Sequence, residues 1–499
     1  MLFDSLQFLI FLPLVIILYY LLPHKMRWVL LLVASYIFYG TWKAEFLILI
    51  AYSTIVDYVA ARQMDRTELR IRKRIWLTIS LLSNFGVLFI FKYFNFFIGR
   101  QDFFIDFVGQ HPKVEWFTGV LEYGIPVGIS FYTFQTVGYT IDVYRGKVKP
   151  EKNLGKFALF VSYFPQLVAG PIERYGHLRP QIFAHHKLNY ESLSNGFRLI
   201  LYGLFIKMVI ADNIAPLIDP VYANPLAFDQ ATNILSVLLF SLQIYADFHG
   251  YSLIAIGVAK MMGVNLMDNF KAPYFAHSIQ NFWSRWHISL STWFRDYLYI
   301  PLGGNRMSYF RWVLNILIVF IVSGVWHGAN FTFIIWGAIH GLLYLSEQIF
   351  TRHRKTEITG VRKAFGITKT FLLVNVAWLF FRSDTLSKAY LSLAKIIGFT
   401  PSAKTYQNIG HMENATSNQK VENVLNSSVT AQTELVFDPI LIIPLLAFIV
   451  LELIIQKNRF DQVINKTSFT VRWLIYSCLI YFVMTMSGAE FYQFIYFQF

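Results

Sequence analysis

The chain has little of what a soluble, disulfide-stabilised or metal-binding protein needs. Only 14% of its 499 residues are charged and 56% are hydrophobic, whereas a soluble domain carries about 25% charged residues. Cys478 is its one cysteine, which excludes a disulfide framework and a cysteine metal site. The sequence also lacks a GxxxxGK[ST] phosphate loop, a GxSxG nucleophile turn and an HExxH zinc motif. A pump driven by nucleotide hydrolysis is therefore excluded.

What the chain does contain is a series of long apolar runs. A bilayer crossing needs roughly 20 residues and several of these runs are shorter. The sequence therefore predicts an all-α polytopic membrane protein with about 11 transmembrane helices plus re-entrant and interfacial amphipathic helices, with residues 1–499 forming a single membrane domain. The runs occupy residues 5–23, 28–42, 44–60, 76–98, 125–143, 156–170, 196–213, 231–248, 310–326, 331–349, 365–381, 437–456 and 469–487.

The distribution of charge predicts how the chain is threaded. A formal net charge of +14 in such a chain indicates cytoplasmic loops and contact with anionic lipid head groups rather than with nucleic acid. The strongly basic residues 62–74 and 351–363 are expected to face the cytoplasm. Asp4 precedes the first apolar run and the positive charges follow it, the reverse of a cleavable signal peptide, so the N-terminus is expected outside. Residues 401–436 are predicted to be a polar periplasmic loop, and residues 383–398 an interfacial helix.

Residues 250–308 are neither a polar loop nor a lipid-facing helix. Their aromatic side chains recur with helical spacing, and His287 and Arg295 fall on the neighbouring stripe. Pro273 is expected to break one helix and Ser278 to cap the next. The segment is predicted to be amphipathic or re-entrant. Its apolar face would consist of Phe282, Trp286, Leu290, Trp293 and Tyr297.

Two histidines lie where an ionisable side chain is costly to bury. His327 lies between two apolar runs, flanked by Gly324 and Gly328, which predicts a tight hairpin or helix break at membrane depth. The alternative for His327 is a neutral imidazole that satisfies a backbone carbonyl at the interface. His287 alone fits an interfacial helix equally well. Together, on separate segments, they suit a general base and a second group that orients it or stabilises charge in acyl transfer.

The remaining polar residues of the apolar runs are expected to be mostly structural, as helix-to-helix hydrogen bonds or as ends that reach the interface. His340, beside Gly337 and Gly341, is expected to be a packing residue. The other members of this set are Gln135, Asp142, Gln166, Glu173, Arg174, Asp212, Asn213, Asp247, His249, Asn375 and Arg382.

At these residues the sequence resembles the membrane-bound O-acyltransferase (MBOAT) family, in particular the bacterial branch with the membrane subunit of alginate O-acetyltransferase. Two long motifs are the most specific: NFWSRWHISLSTWFRDYLYIPLGGNR at residues 281–306 and SGVWHGANFTFIIWGAIHG at residues 323–341. The resemblance extends nearly from end to end. Shorter matching stretches occupy residues 128–146, 164–174, 203–213 and 247–263 and the final FIYFQF.

The resemblance implies the MBOAT fold and a donor, acetyl-CoA, that is used as a substrate, with no permanently bound cofactor and no metal. It assigns the general base to His327, and His287 would orient the acceptor or stabilise the oxyanion. A neutral imidazole with a pKa near 6.5 can accept the proton, so activity should fall as the pH drops through the pKa of the base. Tryptophans would exclude water and arginines would hold phosphates. The further predicted substrate- or cofactor-contacting residues are Trp286, Trp326, Arg285, Arg295 and Asn330.

The expected function is therefore O-acetylation of an extracytoplasmic, alginate-like polysaccharide by a multi-pass protein of the bacterial inner membrane. A periplasmic or membrane-anchored acetyltransferase partner is expected to complete transfer to the polysaccharide acceptor, and membrane lipids surround the chain. The same chemistry on peptidoglycan, or transfer of D-alanine to teichoic acid, stays open. Two other classes also stay open: a transporter or lipid flippase that uses the histidines as a proton relay, and a structural assembly subunit.

Overall fold

The computed structural model describes residues 1–94, 126–168, 170–351, 359–399, 439–456, 458–487 and 494–495. All regular elements within these residues are helical. The predicted periplasmic loop, 401–436, lies outside the described residues, as does most of the final FIYFQF.

The N-terminal half of the chain forms helices of very different lengths. A π-helical stretch, Phe205–Ala211, joins the ninth helix to the tenth without a break in the helical path. The helices are α1 (Leu6–Leu21), α2 (His24–Gly40), α3 (Leu47–Asp65), α4 (Arg70–Lys92), α5 (Ile129–Tyr144), α6 (Leu154–Ser162), α7 (Phe164–Leu167), α8 (Tyr175–Ile182), α9 (Tyr190–Leu204) and α10 (Asp212–Ala223).

The C-terminal half begins with the longest helix and continues through short broken helices to a helical hairpin. A second π-helical stretch, Arg295–Tyr299, follows the thirteenth helix. The helices are α11 (Gln230–Met261), α12 (Ile279–Trp283), α13 (Ile288–Phe294), α14 (Tyr309–His327), α15 (Phe331–Thr351), α16 (Gly360–Arg382), α17 (Leu386–Ile396), α18 (Ile442–Ile455), α19 (Phe460–Asn465) and α20 (Phe469–Met486).

Eight of the described helices are long and apolar enough to cross a membrane, and two shorter apolar helices accompany them. The predicted all-α polytopic fold is thereby confirmed. About 11 crossings were expected from the apolar runs, two of which are 125–143 and 156–170. These runs form the short helices α5, α6 and α7, which are enclosed by other helices. Their polar groups find protein partners there: Gln135 Nε2 donates to the Phe160 carbonyl at 2.7 Å.

The helix bundle has two chemically different ends. At the basic end, α3 ends and α4 begins, and this end carries the basic residues 62–74. The far end is defined by the close of α4 at Lys92 and the close of α14 at His327. Contacts at the basic end join Tyr58 to Lys152, Arg27 to His186 and Lys260 to Asp461. Contacts at the far end join Lys92 to Trp326, Asp219 to Arg382 and Asn330 to Asp384.

Helix α11 runs through the interior and is buried over most of its length. The sequence predicted a crossing that ends near Phe248, whereas the helix continues to Met261. The reason is that Asp247 is neutralised inside the protein, with its Oδ1 2.9 Å from Lys207 Nζ. Its Oδ2 accepts a hydrogen bond of 2.6 Å from the backbone N–H of Ile495. The ring of the preceding residue, Phe494, lies 5.7 Å from that of Phe248, so residues near the C-terminus pack against the middle of α11.

The segment after α11 is a chain of short helices rather than one amphipathic helix. Ser278 caps α12 as predicted, because its side chain accepts a hydrogen bond from Asn281 N. The backbone then breaks at His287, which adopts the left-handed conformation with φ 43°. The five residues of the predicted apolar face lie on both sides of this break. All five are nevertheless buried: Phe282, Trp286, Leu290, Trp293 and Tyr297.

Candidate active site

His327 is the last residue of α14, at the tip of the hairpin that α14 forms with α15. The two helices approach so closely that a Cβ added at Gly324 would lie 2.2 Å from the Phe333 carbonyl oxygen, and one added at Gly337 would lie 2.3 Å from that of Phe320. Real Cβ atoms do not come this close to carbonyl oxygens. The absence of a side chain at these two glycines therefore permits the close contact of α14 with α15.

The His327 side chain is enclosed by aromatic rings. It is only 3% exposed, and its ring centroid lies 4.9 Å from Trp326, 5.0 Å from Trp336 and 5.2 Å from Phe381. All three contacts are edge-on. A shell of this kind excludes bulk water and strengthens electrostatic interactions inside it.

His287 lies at the break between α12 and α13. A positive φ is uncommon for a residue with a Cβ and persists only where neighbours impose it. Asn269 imposes it here: its carbonyl accepts a hydrogen bond of 2.9 Å from Ile288 N, and its Oδ1 accepts one of 2.6 Å from Ser289 Oγ. The imidazole is thereby directed into the protein, where its centroid lies 4.8 Å from that of Phe248.

Trp326 links the two histidines. Its ring centroid lies 6.0 Å from His287 and 4.9 Å from His327, and it also contacts Phe131 at 5.6 Å. The structure thus brings the two histidines that the sequence singled out into contact with one buried indole. Trp286 is buried behind them, with its ring 4.9 Å from that of Trp378.

The other three predicted contact residues bind to other residues of the protein. Arg295 is exposed and its Nε lies 2.9 Å from the Asp296 carboxylate. Arg285 is half-buried and its Nη1 donates to the Ala272 carbonyl at 3.4 Å. Asn330 caps α15, since its Oδ1 accepts from Thr332 N at 3.0 Å. None of these contacts involves either histidine.

A pocket of about 450 Å³ lies on the basic-end side of His287. The loop after α11, the close of α18 and the start of α19 form its walls, with Lys271 and Arg459 among the lining residues. Phe270 forms part of its inner wall, and the Phe270 ring lies 6.5 Å from that of His287. One phenyl ring therefore separates the pocket from the histidine.

The floor of the pocket is polar although it lies deep in the helix bundle. Glu452 accepts hydrogen bonds from the hydroxyls of Tyr202 at 3.0 Å and Tyr245 at 2.6 Å. The Tyr245 ring stacks on His249 at 5.1 Å, and the buried His249 Nδ1 has no hydrogen-bond partner among the described residues. The pocket was not predicted. Glu452, an acidic residue within the apolar stretch 439–455, was the available signal, because such residues mark functional sites in membranes.

The described residues include no group of three or more His, Cys, Asp or Glu side chains placed to hold a metal ion. His340 is fully buried among aromatic rings, and its ring centroid lies 4.9 Å from those of Trp283 and Trp336.

A pH-dependent contact lies at the basic end, among residues that do not line the pocket. His177 Nδ1 lies 2.7 Å from Glu173 Oε2, and this hydrogen bond raises the pKa of His177 above its ordinary value. Glu173 also accepts a hydrogen bond of 2.6 Å from Met267 N. Because the folded pKa is raised, the stabilisation is complete below about pH 6.5 and is lost as the pH rises through the raised pKa.

Above that pH we therefore expect the Met267 amide hydrogen to exchange faster with solvent, after correction for the pH dependence of the intrinsic exchange rate. Hydrogen exchange read by mass spectrometry measures this change, and the effect is modest because His177 is partly exposed. In His177→Gln the pH dependence should disappear. An identical dependence in that variant would contradict the assignment to His177.

Comparison with known proteins identifies the family. Residues 149–384, which include both histidines, match the model of the membrane-bound O-acyltransferase family, MBOAT. The chain is 41% identical over 403 residues to the probable alginate O-acetylase AlgI of Pseudomonas aeruginosa, covering 80% of this chain and 75% of that protein. It is 34% identical over 400 residues to the peptidoglycan O-acetyltransferase of Helicobacter pylori, covering 74% of this chain and 73% of that protein. It is 30% identical to the teichoic acid D-alanyltransferase of Streptococcus thermophilus, covering 51% of this chain and 68% of that protein.

The match to the P. aeruginosa protein extends over most of both chains, and the relatives are named as acyl-transferring enzymes. The helical, membrane-type architecture fits the same family. The chain belongs to the membrane-bound O-acyltransferase family and is an O-acyltransferase.

Proposed function

We propose that the chain moves an acetyl group from cytoplasmic acetyl-CoA across the membrane for O-acetylation of an extracytoplasmic polysaccharide, specifically an alginate-like uronate polymer. The observation that carries the proposal is the contact of the Trp326 ring with both His287 and His327. Acyl transfer to a hydroxyl needs a base and a group that stabilises negative charge at one water-poor point. The names of two relatives, an alginate O-acetylase and a peptidoglycan O-acetyltransferase, support acetyl as the group transferred.

His327 is the general base of the proposed reaction. Its neutral imidazole accepts the proton of the acceptor hydroxyl while the hydroxyl oxygen attacks the thioester carbonyl carbon. A carbon–oxygen bond forms and the carbonyl electron pair moves to oxygen. When the tetrahedral species collapses, the carbon–sulfur bond breaks and the thiolate takes the proton from His327. The products are an acetyl ester and a free thiol, and the imidazole is neutral again.

His287 stabilises the oxyanion of the tetrahedral species. Asn269 holds the two residues that follow His287, so the direction of the His287 ring is fixed before substrate arrives. A donor organised in advance costs no reorganisation during the reaction, and removing one such donor typically lowers the rate by about 10²- to 10³-fold.

The pocket at the basic end is the donor route. Lys271 and Arg459 at its rim supply positive charge for phosphates. The deeper Glu452 carboxylate accepts hydrogen bonds from the amide N–H groups of a pantetheine chain, which leads the thioester toward Phe270 and His287. We assign the phosphates to Lys271 and Arg459 rather than to Arg285 and Arg295, because Lys271 and Arg459 line the pocket and the two other arginines do not.

The orientation follows from charge. The basic residues 62–74 favour a cytoplasmic location for the basic end, which puts the pocket on the side of acetyl-CoA and the N-terminus outside. The chain then lies in the bacterial inner membrane, with the acceptor at the far end. A periplasmic or membrane-anchored acetyltransferase partner completes delivery to the polymer.

The donor route can be blocked from within the pocket. Leu253 lines it and is buried, so Leu253→Trp should occupy part of its volume. We expect the KM for acetyl-CoA to rise by about tenfold or more, which corresponds to a loss of about 1.4 kcal/mol of binding, with a smaller change in kcat. The measurement is transfer of labelled acetyl from acetyl-CoA to polymer in membrane vesicles that contain the chain and its partner.

Leu253→Ala is the matched control, since it leaves the pocket open at the same position. Size-exclusion chromatography in detergent reports whether each variant is folded. An unchanged KM in folded Leu253→Trp would rule the pocket out as the donor route. Label that appears in peptidoglycan and not in a uronate polymer would overturn the proposed acceptor.

A further inference from the structure

Two arginines meet at the basic end, where α9, α19 and α20 come together. Arg198 of α9 is only 7% exposed. Its Nη1 donates to the side-chain oxygens of Asn195, at 2.5 Å, and of Asn465, the last residue of α19. Arg472, in the first turn of α20, donates from Nη2 to the carbonyls of the same Asn465 at 3.4 Å and of Thr467 at 3.0 Å. Both guanidinium groups therefore converge on the end of α19.

The described partners of the two arginines are neutral. Besides the amide and carbonyl oxygens, Arg198 Nε donates to the Tyr476 hydroxyl at 2.5 Å. No carboxylate of a described residue lies within 4.0 Å of either guanidinium group, and Asp461 of α19 pairs with Lys260 instead, at 2.8 Å. Burying a positive charge without a counter-ion is costly. The cost is offset when an anion binds between the two groups.

The pair retains N–H groups that such an anion can use. A guanidinium group has five N–H donors and no acceptor. The contacts of Arg198 engage its Nε and Nη1 and leave its Nη2. The Nε of Arg472 is buried and has no hydrogen-bond partner among the described residues. Planar guanidinium groups match the oxygens of a phosphate, so a phosphate fits this pair.

The surface beside the pair is apolar and aromatic. Trp473 is 54% exposed, and its ring lies 5.8 Å from that of Tyr476, which binds Arg198. Phe197 and Phe469 are exposed as well. Helices α9 and α20 belong to segments long and apolar enough to cross a membrane, and tryptophans near the ends of such helices lie at head-group level. We therefore expect the two arginines to lie at the depth of the lipid phosphates.

We propose that Arg198 and Arg472 together bind the phosphate of one anionic phospholipid in the leaflet at the basic end. A free phosphate ester offers the same oxygens, but only a lipid also covers the exposed apolar side chains beside them, such as Trp473. A zwitterionic phospholipid brings an ammonium group to the same place and so gains less from two positive charges. None of the contacts above involves His287 or His327, and lipid binding here does not depend on the proposed acyl transfer.

Native mass spectrometry of the full chain in detergent tests the site. Phosphatidylglycerol is titrated against phosphatidylethanolamine with the same acyl chains, and we expect one phosphatidylglycerol to bind about tenfold or more tightly than its counterpart. In Arg472→Gln its affinity should fall by roughly 10- to 100-fold, the range for a hydrogen bond to a charged group. Arg198→Gln should have the same effect. Arg472 is partly exposed, so its variant carries the test if the buried Arg198→Gln does not fold.

Arg62→Gln is the matched control. Arg62 also lies at the basic end, where it pairs with Asp65 at 3.8 Å, so the variant removes the same charge and should keep the affinity for phosphatidylglycerol. An equal loss in Arg62→Gln and Arg472→Gln would overturn the site, because the basic end as a whole would then attract the lipid. Equal binding of the two lipids by the wild type would overturn it too, as would competition by glycerol phosphate at the concentration of the lipid. Acetyl transfer is not measured, so a failure of the proposed function leaves this result unaffected.

Discussion

Replacing His327 with alanine is expected to lower acetyl transfer by about 10²- to 10⁴-fold, the usual contribution of a general base. The physical reason is that the acceptor hydroxyl must lose its proton as it attacks. The rings around His327, Trp326 and Trp336 among them, exclude the water that would replace it as base. The measurement is the initial rate of labelled acetyl transfer at saturating acetyl-CoA, with membrane insertion checked by detergent extraction.

A second histidine provides the matched control. His177 lies on the basic end with its side chain partly exposed and paired with Glu173, so His177→Ala changes the same residue type outside the aromatic enclosure. It should retain a rate close to that of the wild type. Transfer by folded His327→Ala at the rate of His177→Ala would remove His327 from the chemistry. The transporter and structural-subunit hypotheses would then return.

Replacing Gly324 with valine is expected to disrupt the hairpin that carries His327. The first added carbon would lie 2.2 Å from the Phe333 carbonyl oxygen, and a backbone atom cannot move aside as a side chain can. Overpacking typically costs about 1–3 kcal/mol, and a backbone collision with a β-branched residue should reach the top of that range or exceed it. We expect a lower thermal midpoint in detergent and a transfer rate reduced together with it.

A glycine with open space around its Cα provides the matched control for Gly324→Val. Gly86 lies within α4, and a Cβ added there would meet no atom within 4 Å. Gly86→Val should therefore leave both the thermal midpoint and the transfer rate nearly unchanged. Equal behaviour of the two valine variants would show that α14 and α15 tolerate separation, and that the position of His327 does not depend on their close contact.

Hydropathy predicted the membrane character of the fold, but it could not separate helices that face lipid from helices that face protein. The runs 125–143 and 156–170 are as apolar as true crossings, yet α5 and α6 are buried among other helices. The predicted end of a crossing near Phe248 was wrong for a related reason. Lys207, distant in sequence, neutralises Asp247 within a continuous helix.

The candidate site was predictable in its residues and not in its geometry. A rare ionisable group in an apolar run is visible in the sequence, and both His287 and His327 were found in this way. The left-handed backbone of His287 was not visible, because Asn269 imposes it from the preceding loop. The pocket was missed for the same reason: its lining residues come from α9, α11, α18, α19 and the loop after α11, and only the tertiary fold assembles them.

The contact between Phe494 and Phe248 has a consequence for biosynthesis. Phe248 packs edge-on against His287 at 4.8 Å, and on another side it meets Phe494 at 5.7 Å. The ribosome makes Phe494 long after both of its neighbours have entered the membrane. Until then Asp247 lacks the backbone donor of Ile495 and the wall behind His287 is incomplete. The surroundings of His287 therefore close only after residues 494–495 have been made, when the helices that carry Phe248 and His287 are already inserted.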